Sequence, residues 1–492
     1  MTNDHHLGDH RTSGHRVIDL RAGVSVLVRT DAALCGHENV PVAQTLIERL
    51  ETAIRQWVDA DVAPVIAREH SSADKSTDRC EVTIALTGTP EQVGQFGPET
   101  DESFTIEIDE QVRISAVSFG GAGHAISALT QLAATDTPGS LEPAVIHDQP
   151  THSWRSLSVD LARNFVPVDL LREVIDIAAE MRLNVLHLHL TDDQGWRLDI
   201  PGLPDLVARS SQSSTLPGGD GYLSIEDFTQ LQLFAARRGM VLVPEIDMPG
   251  HTHAALYALP ELRGPNDDPH PYTGINVGFS KLHRDNPATR PFIARVVREM
   301  AAMTTGQWLH VGGDECHQMT DDEYRELVQP AVAEVLAAGK TPVLWQEAAK
   351  VSLDPSAWVT VWDLRAGLPA GVREHAERGG KVIAAPAPMA YLDSKYSPRD
   401  TVGQDWAGCA TLRSAYDWRI CELLRDDQGP VPVHGVEAAI WTETIQGRAD
   451  FMHMLLPRLA AISEIAWMGD QTRDVDEFVA RAEARYGSGV KR

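Results

Sequence analysis

The sequence predicts an α/β protein whose larger part is a (β/α)8 (TIM) barrel catalytic domain, preceded by a small α/β accessory domain. Two observations predict the barrel. After Trp154, short apolar segments alternate with amphipathic helical patterns, which indicates repeated βα units. Acidic and aromatic residues gather where these segments end, and a barrel carries its chemistry at the C-terminal ends of its strands.

Eight segments have the length and apolar character of barrel strands. They are Ser156–Asp160, Asn184–Leu190, Val241–Ile246, Trp308–Gly312, Pro342–Gln346, Trp358–Asp363, Lys381–Ala385 and Val436–Trp441. The helical patterns between them include Leu170–Met181, Ile225–Arg238, Arg290–Met303 and Asp321–Ala337. A doubly wound open sheet is the alternative fold. No glycine-rich phosphate loop follows the first strand, and this favours the barrel.

The chain divides into three predicted regions. Residues 1–15 are polar and rich in histidine, which predicts a disordered N-terminal segment, and residues 16–151 and 152–492 are the accessory and barrel domains. The accessory domain contains four predicted strands, two predicted helices and a surface loop. The strands are Val24–Arg29, Glu81–Leu86, Ser103–Ile108 and Gln111–Val117, the last two forming a hairpin; the helices are Val42–Val58 and His124–Ala134, and the loop is Ala67–Arg79.

Composition excludes some classes of partner. The formal net charge is −27, which opposes binding to nucleic acid because phosphate requires a positive surface. No apolar run approaches the roughly 20 residues that cross a bilayer, so no membrane association is expected. The five cysteines are scattered and the N-terminus shows no leader, so a cytoplasmic location is expected. The oligomeric state is not predicted.

The most specific segment is His310-Val-Gly-Gly-Asp-Glu315. Two glycines at the end of a strand permit unusual backbone angles and the close approach of a ligand. Asp314 and Glu315 then project in different directions and can take different roles. The alternative is structural, with Asp314 as a helix N-cap and Glu315 in the first helical turn. Its place at a barrel strand end favours catalysis.

His187 and His189 point to the same side of one predicted strand. Such a pair begins the metal site of several barrel hydrolases, so a metal-dependent hydrolase using His187 and His189 is one alternative, and hydrogen-bonded core histidines are another. Three tryptophans at strand ends, Trp345, Trp362 and Trp441, would be surplus in a metal site. Their flat faces suit a pyranose, and charged side chains beside them suit its hydroxyl groups. The preferred interpretation therefore requires no metal ion and no cofactor.

These segments resemble those of the glycoside hydrolase family 20 β-N-acetylhexosaminidases, in the same order along the chain. The matching segments are Asp160-Leu-Ala-Arg-Asn-Phe165, His187-Leu-His-Leu-Thr-Asp-Asp-Gln-Gly-Trp196, Pro244-Glu-Ile-Asp-Met-Pro-Gly-His-Thr252, His310-Val-Gly-Gly-Asp-Glu315, Tyr391-Leu-Asp393 and Glu437-Ala-Ala-Ile-Trp-Thr-Glu443. The resemblance implies exo-acting hydrolysis of terminal β-linked N-acetylglucosamine or N-acetylgalactosamine. It also implies that the substrate's 2-acetamido group is the nucleophile, so that an oxazolinium intermediate forms and the configuration is retained.

The resemblance also assigns roles to single residues. It makes Glu315 the general acid and base, and Asp314 the group that orients the acetamido N–H; Glu315 should therefore start protonated and Asp314 ionised. Asp192 and His251 would support the acid. The implied sugar-binding residues are Arg163, Trp345, Trp362, Tyr391, Asp393, Trp441 and Glu443. A sugar-binding protein that has lost catalysis is a third alternative, which the presence of both carboxylates opposes.

Overall fold

A closed barrel of eight parallel strands forms the larger part of the computed structural model. The structure describes residues 18–19, 24–30, 42–55, 62–64, 80–133 and 139–487. The barrel strands are β1 (Trp154–Asp160), β2 (Val185–His189), β3 (Val241–Glu245), β4 (Trp308–His310), β5 (Thr341–Trp345), β6 (Trp358–Val361), β7 (Lys381–Ala384) and β8 (Gly435–Ile440). They neighbour one another in chain order, and β8 closes on β1. The predicted (β/α)8 barrel is confirmed.

All eight predicted strands are present, and their ends differ from the prediction by at most two residues. At β4 the strand ends at His310, two residues early, because Gly312 and Gly313 turn the chain out of the strand. In β1 and β2, Asp160 pairs with His189, so polar residues of neighbouring strands end at the same level. This alignment brings the chemistry of separate strands to one mouth of the barrel.

Helices and short turns connect the barrel strands and continue after β8. The α-helices are Val168–Glu180, Pro204–Ser210, Ile225–Ala236, His253–Ala258, Thr289–Met303, Asp321–Ala337, Val372–Glu377, Ala387–Ala390, Leu412–Tyr416, Ile420–Leu423, Gly447–Leu455, Arg458–Met468 and Val475–Tyr486, with 3-10 turns at Pro260–Leu262 and Gln346–Lys350 and a short antiparallel pair, Arg425–Asp426 with Gly429–Pro430. The predicted helix Asp321–Ala337 begins after Thr320, which forms a capping box with Glu323.

Residues before Trp154, together with Ile175–Asn184 and Leu233–Val241, form a second compact unit. Its sheet contains Val62–Pro64, Val24–Thr30, Cys80–Leu86, Val112–Ala116, Phe104–Ile108 and Ala144–Asp148 in that spatial order. Its helices are Val42–Arg55, Pro90–Val93 and Phe119–Ala133, and a short antiparallel pair joins Ile18–Asp19 to Ser140–Leu141. The predicted hairpin is confirmed as antiparallel. The segment 1–15 and the loop Ala67–Arg79 lie outside the described residues.

Among the described helices, none is both long enough and apolar enough to cross a membrane.

Arg197 fixes the long connection that follows β2. Its side chain is fully buried and donates hydrogen bonds to five backbone carbonyl groups. These belong to Leu161 (3.0 Å), Ala162 (2.8 Å), Ser211 (2.6 Å), Ser213 (2.5 Å) and Gly221 (3.1 Å). Only the planar guanidinium presents five donors in fixed directions. Arg197 therefore ties the loop after β1 to the loop that returns from residue 211.

We expect Arg197→Lys to lower the free energy of unfolding by about 3 kcal/mol, because an ammonium group leaves buried carbonyl groups without donors. Calorimetric or denaturant unfolding measures the loss. Arg290→Lys is the matched control, because Arg290 is exposed and contacts Glu326 at 3.4 Å on the surface. Equal stability of the two variants would contradict this role of Arg197.

Candidate active site

The turn after β4 presents two neighbouring carboxylates at the mouth of the barrel. Gly312 and Gly313 have φ angles of +69° and +103°, a region that glycine enters without strain. A Cβ atom added at Gly312 would lie 1.7 Å from Oδ1 of Asp247, and the Gly313 N–H donates to that same oxygen at 2.9 Å. The two glycines therefore let the turn close over Asp247 and bring Asp314 and Glu315 into the site.

Glu315 has a φ angle of +45°, which costs a residue with a side chain about 1–3 kcal/mol. The next turn compensates in part, since the His317 N–H donates to the Glu315 carbonyl at 2.7 Å. In this conformation Oε2 of Glu315 lies 3.4 Å from Nε2 of His251. The strained backbone conformation of Glu315 is thus the one in which its carboxylate contacts His251.

Asp314 lies beside Asp247 and His251. Its Oδ2 atom lies 3.6 Å from Nε2 of His251, and a carboxyl oxygen of Asp314 lies within 4.8 Å of one of Asp247. Two buried carboxyl groups this close do not both ionise readily. Burial, followed by the charge of Asp314, holds the pKa of Asp247 well above its usual range. Asp247 is therefore the member of this pair that holds a proton.

The pKa shifts of Asp314 and Glu315 run in opposite directions. Burial raises the pKa of Asp314, and the charge of His251 and the neighbouring Asp247 carboxyl group oppose this increase. Burial also acts to raise the pKa of Glu315, but the nearby imidazole of His251 and its charge outweigh it, so this pKa is lowered. Burial acts to lower the pKa of His251, but the charges of Asp192 and Asp314 outweigh it, so this pKa is raised well above the usual value. The expectation of a protonated Glu315 did not include this contact.

Asp192 and Arg163 complete this side of the pocket. Oδ1 of Asp192 lies 3.0 Å from Nδ1 of His251, and its Oδ2 lies 2.8 Å from Nη2 of Arg163. Nε of Arg163 lies 3.9 Å from Oε1 of Glu443, and its guanidinium lies 5.1 Å from the ring of Trp441. The structure therefore brings these predicted residues together around one cavity mouth.

Several buried polar atoms at this mouth have no hydrogen-bond partner within the described part of the chain. They are Nε and Nη1 of Arg163, Oε2 of Glu443 and Nε1 of Trp441. A buried donor or acceptor without a partner costs about 1–3 kcal/mol, so a native structure rarely leaves several together. Donors and acceptors for a polar ligand are thus already in place at this mouth.

Asp393 faces Glu443 across the same mouth. Its Oδ1 accepts a hydrogen bond from the backbone N–H of Trp441 at 3.3 Å. Burial and then the nearby Glu443 carboxylate raise the pKa of Asp393 to about 8. A protonated carboxyl group beside an ionised one offers both a donor and an acceptor, which is the combination that a sugar hydroxyl group requires.

The predicted aromatic residues form a single wall. Ring centroids are 6.0 Å apart for Trp345 and Trp441, 5.7 Å for Tyr391 and Trp441, and 6.4 Å for Trp362 and Tyr391, the last pair being stacked. Trp345 is 1% exposed, and its indole N–H donates to Glu245 at 2.7 Å. The wall is therefore rigid and apolar on the side away from Arg163.

Three residues at this mouth were not among the predicted site residues. Asp247 was passed over because a carboxylate at a strand end does not reveal its buried partner in the sequence. Glu347 accepts a hydrogen bond from Trp362 at 3.3 Å, and burial raises its pKa to about 8. Trp406 is 43% exposed and lies edge-on to Trp362 at 5.9 Å; its position in a long irregular segment gave no periodic signal.

His187 and His189 are core histidines that bind carboxylates. Oε2 of Glu245 lies 3.1 Å from Nε2 of His187 and 2.6 Å from Nδ1 of His189. His187, Glu245 and His310 form one group whose ligand atoms lie within 4.8 Å of one another. Two ligand atoms on one tetrahedral zinc ion would be about 3.3 Å apart. The 2.6 Å separation between Nδ1 of His189 and Oε2 of Glu245 is that of a hydrogen bond. It favours a shared proton over a metal ion between these two residues.

Comparison with known proteins agrees with this geometry. The model of a family described as glycosyl hydrolase family 20, catalytic domain, matches residues 152–470. A β-N-acetylhexosaminidase of Cellulomonas fimi is 43% identical over 387 residues, covering 78% of each chain. A β-hexosaminidase of Vibrio furnissii is 30% identical over 421 residues, covering 76% of this chain and 67% of that protein.

Solved structures resemble the whole chain. The family 20 β-N-acetylhexosaminidase of Streptomyces coelicolor A3(2) superposes with a TM-score of 0.84 and 30% identity, covering 96% of this chain and 92% of that one. The N-acetyl-β-hexosaminidase of Streptomyces plicatus, in complex with Thio-NAglucal, has a TM-score of 0.82 and 32% identity, covering 94% and 91%.

Gly312→Ala tests the turn. We expect it to lower kcat/KM by at least about a hundredfold, because the added Cβ would displace Asp247 and with it Asp314. Gly339→Ala is the matched control: Gly339 has a φ angle of +74°, yet an added Cβ would meet nothing within 4 Å. The control should lose about 1 kcal/mol of stability and keep its activity. If both variants kept wild-type activity, the close approach would have no catalytic importance.

Proposed function

The chain belongs to glycosyl hydrolase family 20, and we propose that it is an exo-acting β-N-acetylhexosaminidase in which Asp314 and Glu315 are the catalytic residues. It hydrolyses terminal, non-reducing β-linked N-acetylglucosamine or N-acetylgalactosamine with retention of configuration. The observation that carries the assignment is the pair of adjacent carboxylates on one glycine turn. The two have different partners, and they lie beside an aromatic wall and unpaired polar groups.

The first step forms a ring within the substrate. The carbonyl oxygen of the 2-acetamido group attacks the anomeric carbon, and the bond from that carbon to the leaving oxygen breaks. Glu315 gives its proton to the leaving oxygen. The product of this step is an oxazolinium ion, whose positive charge on the acetamido nitrogen faces the carboxylate of Asp314. Because the substrate supplies the nucleophile, no protein carboxylate bonds to the sugar.

The second step opens that ring. The Glu315 carboxylate takes a proton from water, and the oxygen of that water bonds to the anomeric carbon on the face the leaving group vacated. The bond from the acetamido oxygen breaks, which restores the acetamido group and leaves the β-configured sugar. Glu315 ends the cycle protonated, ready for the next substrate.

Substrate binding provides the change in proton affinity that this mechanism requires. A sugar ring in the pocket displaces water from Glu315, and desolvation favours the neutral acid. The acetamido N–H donates to Asp314 and favours its ionised form. Until then His251, 3.4 Å from Glu315, holds a proton within reach of the acid. Binding of the sugar therefore favours the proton on Glu315 over the proton on His251.

The remaining residues bind the sugar. Arg163, Asp393 and Glu443 offer donors and acceptors to the ring hydroxyl groups, and buried polar atoms of Arg163 and Glu443 have no partner among the described residues. Tyr391 donates to the acetamido oxygen, and Trp345, Trp362 and Trp441 enclose the acetamido methyl group and the apolar face of the ring. Residues that surround a single terminal sugar in this way support exo action.

The first test compares 4-nitrophenol release from the β-N-acetylglucosaminide and from the β-glucoside, which lacks the acetamido group. We expect kcat/KM to fall by at least about 10⁴ with the glucoside, because it has no nucleophile and leaves Asp314 without its donor. Comparable rates would mean that a protein side chain is the nucleophile. In that case the roles of Asp314 and Tyr391 would be withdrawn.

Glu315→Gln should slow substrates with poor leaving groups far more than those with activated leaving groups. Loss of a general acid typically costs about 10²- to 10⁴-fold, and a leaving group that departs as an anion needs no acid. Turnover of N,N′-diacetylchitobiose and of the 2,4-dinitrophenyl N-acetylglucosaminide measures the difference. Equal losses on the two substrates would remove the general-acid assignment from Glu315.

A further inference from the structure

His187 and His189 belong to an unbroken chain of contacts inside the barrel, which we call the His–carboxylate chain. Its members, in order, are Glu437, His187, Glu245, His189, Asp192 and His251. The successive nitrogen–oxygen distances are 3.4, 3.1, 2.6, 2.8 and 3.0 Å. The chain ends 3.4 Å from Oε2 of Glu315. One series of polar contacts therefore connects the middle of β8 to the proposed acid.

Acids and histidines alternate along this chain, and His187 and His189 each contact carboxylates through both ring nitrogens. His189 contacts Glu245 through Nδ1 and Asp192 through Nε2. Rings held at two points cannot rotate without losing a contact, so each member fixes the orientation of the next. Every member is at most 2% exposed, which removes competition from water.

Glu245 is the branching point of the chain. Its Oε2 contacts His187 and His189, while its Oε1 accepts the Trp345 indole N–H at 2.7 Å and lies 2.8 Å from Nδ1 of His310. Glu245 is the last residue of β3, and its side chain is fully buried among these four partners. Any influence that it exerts through contacts must pass through these neighbours.

Stability alone does not account for such an arrangement. Burying ionised carboxylates is costly, and well-packed apolar residues of similar volume are often at least as stabilising. An alternating chain that ends on an acid instead controls position and charge at that end.

We propose that Glu245 is a positioning residue for the general acid, acting through His189, Asp192 and His251 to hold the imidazole against Glu315. The inference rests on the proposed function and extends it to a residue that does not touch the substrate. It also explains why His187 and His189 are present in the barrel, since neither is needed to bind the sugar.

Other charged groups act on the two ends of the chain. Besides its histidine partners, Glu245 lies near the carboxyl groups of Asp247 and Asp314. Glu315 is influenced by His251, Asp314, Arg163, His317, Glu347 and Arg365. Substitution of Glu245 leaves all six of the latter in place. Because the charge of Glu245 also acts on Asp314 directly, the variant His189→Gln, which breaks the chain and keeps that charge, separates the two routes.

The test is Glu245→Gln, which keeps the shape and removes the charge. We expect kcat/KM on N,N′-diacetylchitobiose to fall by about tenfold or more, and that on the 2,4-dinitrophenyl glycoside to fall by less than about threefold. Without the Glu245 carboxylate His189 loses its proton more easily, so Asp192 is freer to stabilise the positive charge on His251. That charge favours the ionised form of Glu315, so the alkaline limb of the kcat/KM profile, which reports the acid, should move to lower pH.

Thr360→Val is the matched control, because Thr360 is a buried residue of β6 that lies outside the chain. It should leave both substrates and the pH profile at wild-type values. If Glu245→Gln does not fold, His189→Gln breaks the chain at the next residue and should give the same pattern. Folding is checked by circular dichroism and the unfolding midpoint.

Two results would overturn the inference. One is an equal loss on both substrates in the folded variant, and the other is an alkaline limb that stays at the wild-type pH. Either result, with wild-type enzyme active on the N-acetylglucosaminide, refutes the role of Glu245 alone. Wild-type enzyme that releases nitrophenol equally from the glucoside would instead refute the proposed function.

Discussion

The C-terminal ends of the barrel strands depend on the pairing of buried carboxylates with buried histidines. An ionised carboxylate in a closed barrel is tolerated only when donors surround it, and Glu245 finds three such donors on β2 and β5. The strand register that pairs Glu245 of β3 with His310 of β4 holds this carboxylate at the strand ends. Fold and site are therefore specified by the same contacts.

The sequence predicts the architecture well because apolar periodicity is a local property. Each of the eight strands could be located from its own residues, and the turn at Gly312 and Gly313 could be located from its glycines. Arg163, Asp192, His251 and Glu443 were found because they follow strand ends, and the structure brings them together. What these residues touch could be inferred only by resemblance, since no spacing in the sequence links Arg163 to Glu443.

The parts that could not be predicted are those that arise from packing between distant segments. Asp247 is one of several strand-end acids in the sequence, and only the close approach of Gly312 and the position of Asp314 show that it belongs to the site. Glu315 was expected to be protonated, and the contact with His251 lowers its pKa instead. Trp406 lies in an irregular segment, and so its position beside Trp362 followed from no pattern.

The unpaired atoms of Arg163, Trp441 and Glu443 have a consequence for the whole molecule. These atoms are as buried as those of the protein interior, but they have no hydrogen-bond partner among the described residues. In the proposed complex the sugar ring supplies those partners. In thermodynamic terms a bound sugar behaves as part of the core: the free energy that binds it also stabilises the fold. Discrimination among sugars then follows the same rule as the stability of the protein interior. A ligand that lacks one hydroxyl group leaves a buried donor or acceptor without a partner, and the complex is less stable.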